Sequence, residues 1–268
     1  MAAGSSPAAS PSPSLFDLSG QVALVTGAGS GLGLAIALAM ADHGADVVAA
    51  GLAGDELEQA ASQCRARGRR AMALPCDLAQ PGAGRELARR ALAAFGRIDT
   101  LVCNAGIQGP AGPLGAVGDD DWDRVMAVNL RSAWELSSAL AQAMAERGSG
   151  SLIFMASIAA LRGNRAIGLY GMSKAALAQL ARNLAVEWGP RGVRANAIAP
   201  GLVRTPLAQG LLADAAFMAR RLAATPLRRV GEPEEIAGVA VMLAGRAGGF
   251  ITGQVLVADG GTLVSDGG

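Results

Sequence analysis

Tyr170 and Lys174 stand four residues apart in GLYGMSKAALAQLARNLAVEWG, whose alanines and leucines recur at helical spacing, so both side chains fall on one helix face. An ammonium within about 4–6 Å of a phenol favours the phenolate, and bringing a tyrosine from its usual ~10 to near 7 requires about 4 kcal/mol of differential stabilisation. A tyrosine so placed could exchange protons near neutral pH. Upstream, Ser157 ends SLIFMAS, a short apolar run that reads as a buried strand. A hydroxyl at the carboxyl end of a strand faces the crevice in which open α/β sheets bind ligands, where it could hydrogen-bond a carbonyl oxygen that Tyr170 protonates. Taken alone, Tyr-x-x-x-Lys is an ordinary surface pair. Chemistry requires that other elements bring it partners.

The first such element is QVALVTGAGSGLGLAIALAMADHG, in which an apolar strand, Val22 to Val25, runs into a glycine turn and then an Ala/Leu-rich helix ending near His43 and Gly44. The glycines let the backbone approach a pyrophosphate, and the helix start offers it free N–H groups and a positive dipole end. Gly27, Ser30, Gly31, Leu32 and Gly33 are therefore candidates for a dinucleotide site. The next strand, ADVVAAG, ends where a ribose-binding acid is expected for NAD, but Gly51 and Leu52 stand there. The 2′-phosphate of NADP normally needs a cation, which neither Leu52 nor Ser30 supplies. Either NAD or NADP is admissible. The lean is to NAD, because burying an uncompensated phosphate costs more than omitting one hydrogen bond to a hydroxyl.

Strands and helices then alternate through GDELEQAASQCRARG, AMALPCDL, a helix to Phe95 and IDTLVCNAG, which predicts a parallel sheet covered by helices on both faces. Asp77 could accept from an adenine amino group or cap a helix. Asn104-Ala105-Gly106 suits either close approach of backbone to a ligand or a plain turn. Asp119 to Arg147 predicts one long helix with acids at its start. Asn129 in its middle sacrifices propensity, so it either bonds backbone at a kink and holds water there or is a packing asparagine.

Composition excludes several classes of function. The chain has 268 residues, 51% hydrophobic and 17% charged, enough for one generous domain or two small ones. Its net charge is +1, and the basic runs Arg67 to Arg70 and Arg228 to Arg229 are short and isolated, so no nucleic-acid or acidic-lipid partner is expected. Cys64, Cys76 and Cys103 are too widely spaced for a disulfide framework, and His43 is the only histidine, so no metal site is expected. No apolar segment reaches the ~18 residues of a membrane span. Residues 1–14, MAAGSSPAASPSPS, predict a mobile tail ahead of a catalytic domain over 15–268. They lack the basic start and apolar run of a secretory signal, which points to a cytoplasmic protein with reduced cysteines.

With Thr26-Gly27-x-x-x-Gly31-x-Gly33, Asn104-Ala105-Gly106, Asn129, Ser157, Tyr170-x-x-x-Lys174 and Pro200-Gly201 in one order, the chain resembles the short-chain dehydrogenase/reductase family over about residues 15–261. The resemblance departs from the family at Cys103, where another asparagine is frequent, and at Gly51 and Leu52. It implies a doubly wound Rossmann domain of seven mainly parallel strands that moves a hydride between nicotinamide and a secondary alcohol or ketone without a metal. It also implies roles. Tyr170 is the acid/base, and Lys174 lowers its pKa and binds the nicotinamide ribose. Ser157 polarises the substrate oxygen, and Asn129 anchors a water in a relay through Lys174. Leu52, Asp77 and Leu78 flank the adenosine; Asn104, Ala105 and Gly106, with Pro200, Gly201, Val203 and Thr205, flank the nicotinamide half. A homotetramer is implied as well.

By position, Gln108, Ile158, Leu161, Asn164 and Arg165 line the substrate pocket, under a segment from about Pro206 to Pro226 that has the length of a lid or of an ordinary surface helix. An inward Arg165 would bind a carboxylate. That possibility and the opening FDLSG are similar to sugar-acid dehydrogenases of the family. A 3-oxoacyl-thioester reductase and a broad ketone reductase are the competing enzyme readings. A dinucleotide-binding scaffold or redox sensor without turnover is the reading from another class.

Overall fold

Short apolar runs bounded by glycine and polar residues become the strands β1 (Val22–Thr26), β2 (Asp46–Gly51), β3 (Ala71–Pro75), β4 (Thr100–Cys103), β5 (Gly150–Met155), β6 (Val193–Pro200) and β7 (Val255–Ala258). The computed structural model describes residues 14–265, so the tail expected over 1–14 lies outside them except for Ser14. The strands form one sheet in the order β3-β2-β1-β4-β5-β6-β7, every neighbouring pair parallel. Strand order reverses between β1 and β4, the switch point at which open sheets leave a crevice.

The helices are α1 (Gly31–Asp42), α2 (Asp55–Ala66), α3 (Ala83–Phe95), α4 (Asp119–Met126), α5 (Ser132–Glu146), α6 (Gly168–Trp188), α7 (Gln209–Ala213), α8 (Ala215–Ala223) and α9 (Pro233–Ala244). Successive strand residues point to opposite faces, which divides the core in two. Ala23, Val25, Val47, Ala49 and Ile153 pack with Ile36 and Met40 of α1 and Ile236 and Val241 of α9. Leu24, Val48, Leu101, Leu152 and Phe154 pack with Leu87 of α3, Leu136 and Leu140 of α5, and Leu177 of α6. Covering both faces explains why β1, β4 and β5 are buried along their whole length and mostly apolar.

The long helix expected over 119–147 is interrupted. A five-residue π turn, Ala127–Arg131, separates α4 from α5, and it carries Asn129, whose amide bonds backbone outside the helix. α9 starts as its sequence directs, with Pro233 in the first turn and a reciprocal capping box between Glu232 and Glu235. The stretch after β6 forms a short 3-10 turn, Pro206–Ala208, followed by α7 and α8. No residue of these three elements is fully buried. Among the described residues, no helix is long and apolar enough to cross a membrane.

Candidate active site

Beyond the carboxyl ends of β1, β4, β5 and β6 lies a cleft of about 340 Å³. It gathers most of the residues singled out by type and spacing: Gly27, Ser30, Gly31 and Leu32 from the glycine turn, Asn104, Ala105 and Gly106 from the end of β4, and Ser157, Tyr170 and Lys174. Pro200, Gly201, Val203 and Thr205 close one side, and Gln108, Ile158 and Asn164 lie around the mouth. Residues as far apart in sequence as Gly27 and Thr205 thus meet at the switch point because parallel strands all end on the same edge.

The floor is held by backbone. The Lys174 ammonium is buried and donates to the Met155 carbonyl at the end of β5, 2.8 Å away. Asn129, 1% exposed, accepts from the Ile107 N–H (2.8 Å) and donates to the Ile107 carbonyl (2.9 Å) and to Ser173 Oγ (2.9 Å). Both amide hydrogens are spent. Gly106 passes between these groups: a Cβ there would sit 3.0 Å from Lys174 Nζ and 3.3 Å from Asn129 Oδ1. Ser157 caps a 3-10 turn, its Oγ accepting from the Ala159 N–H (3.1 Å). Ser173 Oγ donates to the Tyr170 carbonyl (2.8 Å), tying the tyrosine's helical turn to Asn129.

Electrostatics of the floor are dominated by burial. Burial lowers the Lys174 pKa to about 8, so this lysine carries only part of a charge above neutrality. Burial raises the Tyr170 phenol, and a hydrogen bond with Ser157 pulls it back in part. This differs from the expected lowering by Lys174: the ammonium is 5.5 Å from the phenol ring centroid and turned to the Met155 carbonyl, and desolvation of the phenolate outweighs its field. Cys103, beside Lys174, is pushed up by burial and is a packed thiol.

Fit for a dinucleotide is tested by the glycine turn. α1 has no acid in its first turn, and Ser30 at its N-cap makes no side-chain cap, so the helix start keeps its donors for an anion. A Cβ on Gly33 would overlap the Gly27 carbonyl. Gly33 therefore lets helix and loop close, and it does not itself line the cleft. Thr26 Oγ1 accepts from the N–H groups of Asn104 and Ala105, each at 3.0 Å, and Asn104 Nδ2 donates to the Thr26 carbonyl at 2.9 Å. These bonds clamp β1 to β4 at the reversal, a role for Thr26 that its place in the glycine motif did not disclose.

Other candidates are displaced. Arg165 and Leu161 are exposed and do not line the cleft; the loop turns Arg162 into it, because Asn164 Oδ1 accepts from Ala166 and Ile167 N–H and folds the chain back. Leu52 is exposed at the end of β2, away from the cleft. Leu78 is buried in the core with Leu74 and Leu87. The Asp77 carboxylate accepts from the Ala79 N–H and Gln80 Nε2 (3.0 and 3.1 Å), a local turn six residues before α3, so it caps no helix. Arg221 of α8 also lines the cleft, and nothing in its surface-helix context marked it.

A doubly wound parallel sheet with a glycine turn, a buried lysine and a tyrosine at its switch point defines a dinucleotide-dependent enzyme fold. A family model described as enoyl-(acyl carrier protein) reductase matches residues 27–262. The chain is 37% identical over 253 residues to the gluconate 5-dehydrogenase of Gluconobacter oxydans (strain 621H), covering 94% of this chain and 98% of that one. It is similar to a solved gluconate 5-dehydrogenase from Burkholderia cenocepacia J2315 in complex with NADP and tartrate, with TM-score 0.89, 35% identity and coverage of 93% and 98%. It is also similar to a 7α-hydroxysteroid dehydrogenase complexed with NADH and 7-oxo glycochenodeoxycholic acid, with TM-score 0.87, 34% identity and coverage of 92% and 95%. The chain belongs to the short-chain dehydrogenase/reductase family.

Proposed function

We propose that this enzyme interconverts a secondary alcohol and a ketone on a small polar substrate, a sugar acid or polyol, with Tyr170 as the acid/base. Its class is that of its family, an NAD(P)-dependent oxidoreductase. The observation that carries the reading is the convergence of Ser157, Tyr170 and Lys174 in the cleft that begins at the glycine turn. The nicotinamide cofactor, when bound, supplies or accepts the hydride. The glycine turn and the α1 start would hold its pyrophosphate, and Lys174 with the backbone at Asn104, Ala105 and Gly106 would hold the nicotinamide half. Pro200, Gly201, Val203 and Thr205 would wall it on the β6 side.

The chain's own residues then manage the proton. Ser157 holds the substrate oxygen, and Tyr170 gives a proton to that oxygen in reduction and takes it in oxidation. Lys174 supports the phenolate when its ammonium is released from the Met155 carbonyl. Asn129 positions the Gly106–Ile107 backbone beside Lys174; with both its amide hydrogens committed, a relay water would be held by its remaining acceptor lone pair or by the Ile107 carbonyl.

NAD is the proposed cofactor. Gly51 to Gly54, from the end of β2 onward, hold no cationic residue, and Glu56 at the start of α2, its backbone beside Gly29 and a carboxylate oxygen beside Gly54, adds negative charge on the side where a 2′-phosphate would come. A homotetramer is proposed from the resemblance, and the exposed Trp134 beside Met126, Leu130 and Leu180 on the α4–α5–α6 face fits such a contact; light scattering reads the mass. The domain is proposed to span 15–268, so truncation before Leu15 leaves rate and stability unchanged. A cytoplasmic location accords with three unpaired cysteines.

Titration with NADH and NADPH, then turnover of sugar acids, polyols, ketones and 3-oxoacyl thioesters with the tighter cofactor, tests the reading. Preferred turnover of thioesters would move the enzyme to the acyl reductases, and binding of neither cofactor would remove the functional assignment.

A further inference from the structure

Two guanidinium groups line the cleft, and neither forms an ion pair among the described residues. Arg162 stands on the exposed loop between β5 and α6; Arg221 stands on α8, half-buried, its Cζ 5.4 Å from the Phe217 ring centroid. Both share the cleft with Ser157 and Tyr170. The acid that acts on Arg221 is Asp259, whose oxygens already accept from the N–H groups of Gly261 (2.8 Å) and Leu263 (2.6 Å).

Desolvation of the half-buried Arg221 and repulsion from a second cation both oppose this arrangement, and an anion between the two groups would relieve them. Both effects act here: burial and the Arg162 charge lower the Arg221 pKa, and only Asp259 pulls the other way. A bound anion would relieve the repulsion, and a guanidinium fork matches a carboxylate bidentately. The two arginines less the Asp259 carboxylate leave one net positive charge at this end of the cleft, besides that of Lys174 on its floor, which the carboxylate of a substrate would balance.

We infer that Arg162 and Arg221 bind the carboxylate of a small hydroxy or oxo acid, and so make the enzyme selective for acids over the matching neutral polyols. The inference rests on the oxidoreductase reading of the same cleft. It would also make a lid of the α7–α8 segment. Arg162 stands on the β5–α6 loop and Arg221 on α8, so a carboxylate between them would tie α8 over Tyr170, and binding energy from the charged end would serve to close the site around the reacting carbon.

The test is binding to the wild-type NADH complex by calorimetry, using D-gluconate and L-tartrate against the uncharged polyols D-glucitol and threitol, with inorganic phosphate as competitor. Acids should bind at least tenfold more tightly than their polyols. That ratio should fall toward one in Arg162→Gln/Arg221→Gln and recover in part in Arg221→Lys, with NADH affinity as the check that the variants are folded. Equal binding of acids and polyols, an acid preference that survives the double substitution, or phosphate binding above the acids would overturn the proposal. Turnover is scored separately. Acid preference without turnover of any compound supports the clamp and counts against the oxidoreductase reading; turnover of polyols with no acid preference does the reverse.

Discussion

The floor of the cleft and its mouth are built in opposite ways. Lys174 and Asn129 are buried, stand on elements packed into the core, and spend their hydrogen bonds on the backbone of Met155 and Ile107. Arg162 and Arg221 stand on a loop and on a helix without a fully buried residue, and no acid holds them. Groups that must meet a reacting atom gain from a fixed geometry. A group that must admit and release a substrate gains from an element that opens at low cost. Chemistry shared by a family and selectivity particular to one chain can therefore reside in different layers of the same cleft.

The comparison breaks most visibly at the floor. Tyr170→Phe should lower turnover by ~10²–10⁴-fold, the range for a general acid/base, while NADH affinity measured by fluorescence titration stays within about twofold of wild type, within the scatter usual for surface-scale changes. Unchanged turnover would remove Tyr170 as the acid/base, and cofactor binding without any wild-type turnover would make the protein a binding module. Gly33→Ala should cost ~1–3 kcal/mol in urea unfolding, the usual range for overpacking, and abolish cofactor binding, because the new Cβ overlaps the Gly27 carbonyl. Retained binding would show that the turn does not shape the site.

Lys174 gives a pH signature. Its pKa is lowered by burial to about 8, against ~10.4 in an unfolded chain. Between these values the unfolded chain binds the extra proton, so the lysine's cost to folding is full below pH 8 and fades as the pH rises toward 10. Wild type should gain ~1–3 kcal/mol relative to Lys174→Met from pH 8 to pH 10, read as the difference between the two urea-unfolding curves; that difference removes the opposite trend from the buried Cys64, Cys103 and Tyr170, whose pKa values are raised. Parallel curves would mean the ammonium is not held in an apolar setting. The smallest effect is expected at the outer rim: Glu56→Gln should tighten NADPH by about 3–10-fold, as loss of one partly screened repulsion allows, and leave NADH unchanged. No change in the ratio of the two affinities would remove Glu56 from cofactor choice.

Features encoded by short-range spacing were legible in the chain. Strand and helix alternation follows from periodicity, and the glycine turn is contiguous in sequence. Tyr170 and Lys174 share a helix face by an i, i+4 relation, so the fold class and the centre of the site could be named before any coordinates. The π turn was legible only as a misplaced asparagine. Its partner, Ile107, is 22 residues away, and only packing of α4 and α5 against α6 selects it.

What the tertiary structure alone decided is long-range. It turned Arg162 inward instead of Arg165, and brought it to the same cleft as Arg221, 59 positions later on a helix with no local mark of function. It gave Lys174 the Met155 carbonyl as a partner and Leu78 to the core. The physical reason is common to these cases. A residue's type and its near neighbours fix its local conformation and what its side chain can do, whereas sheet order and helix packing fix which distant group it meets, how far it is desolvated, and therefore which of those capacities it uses.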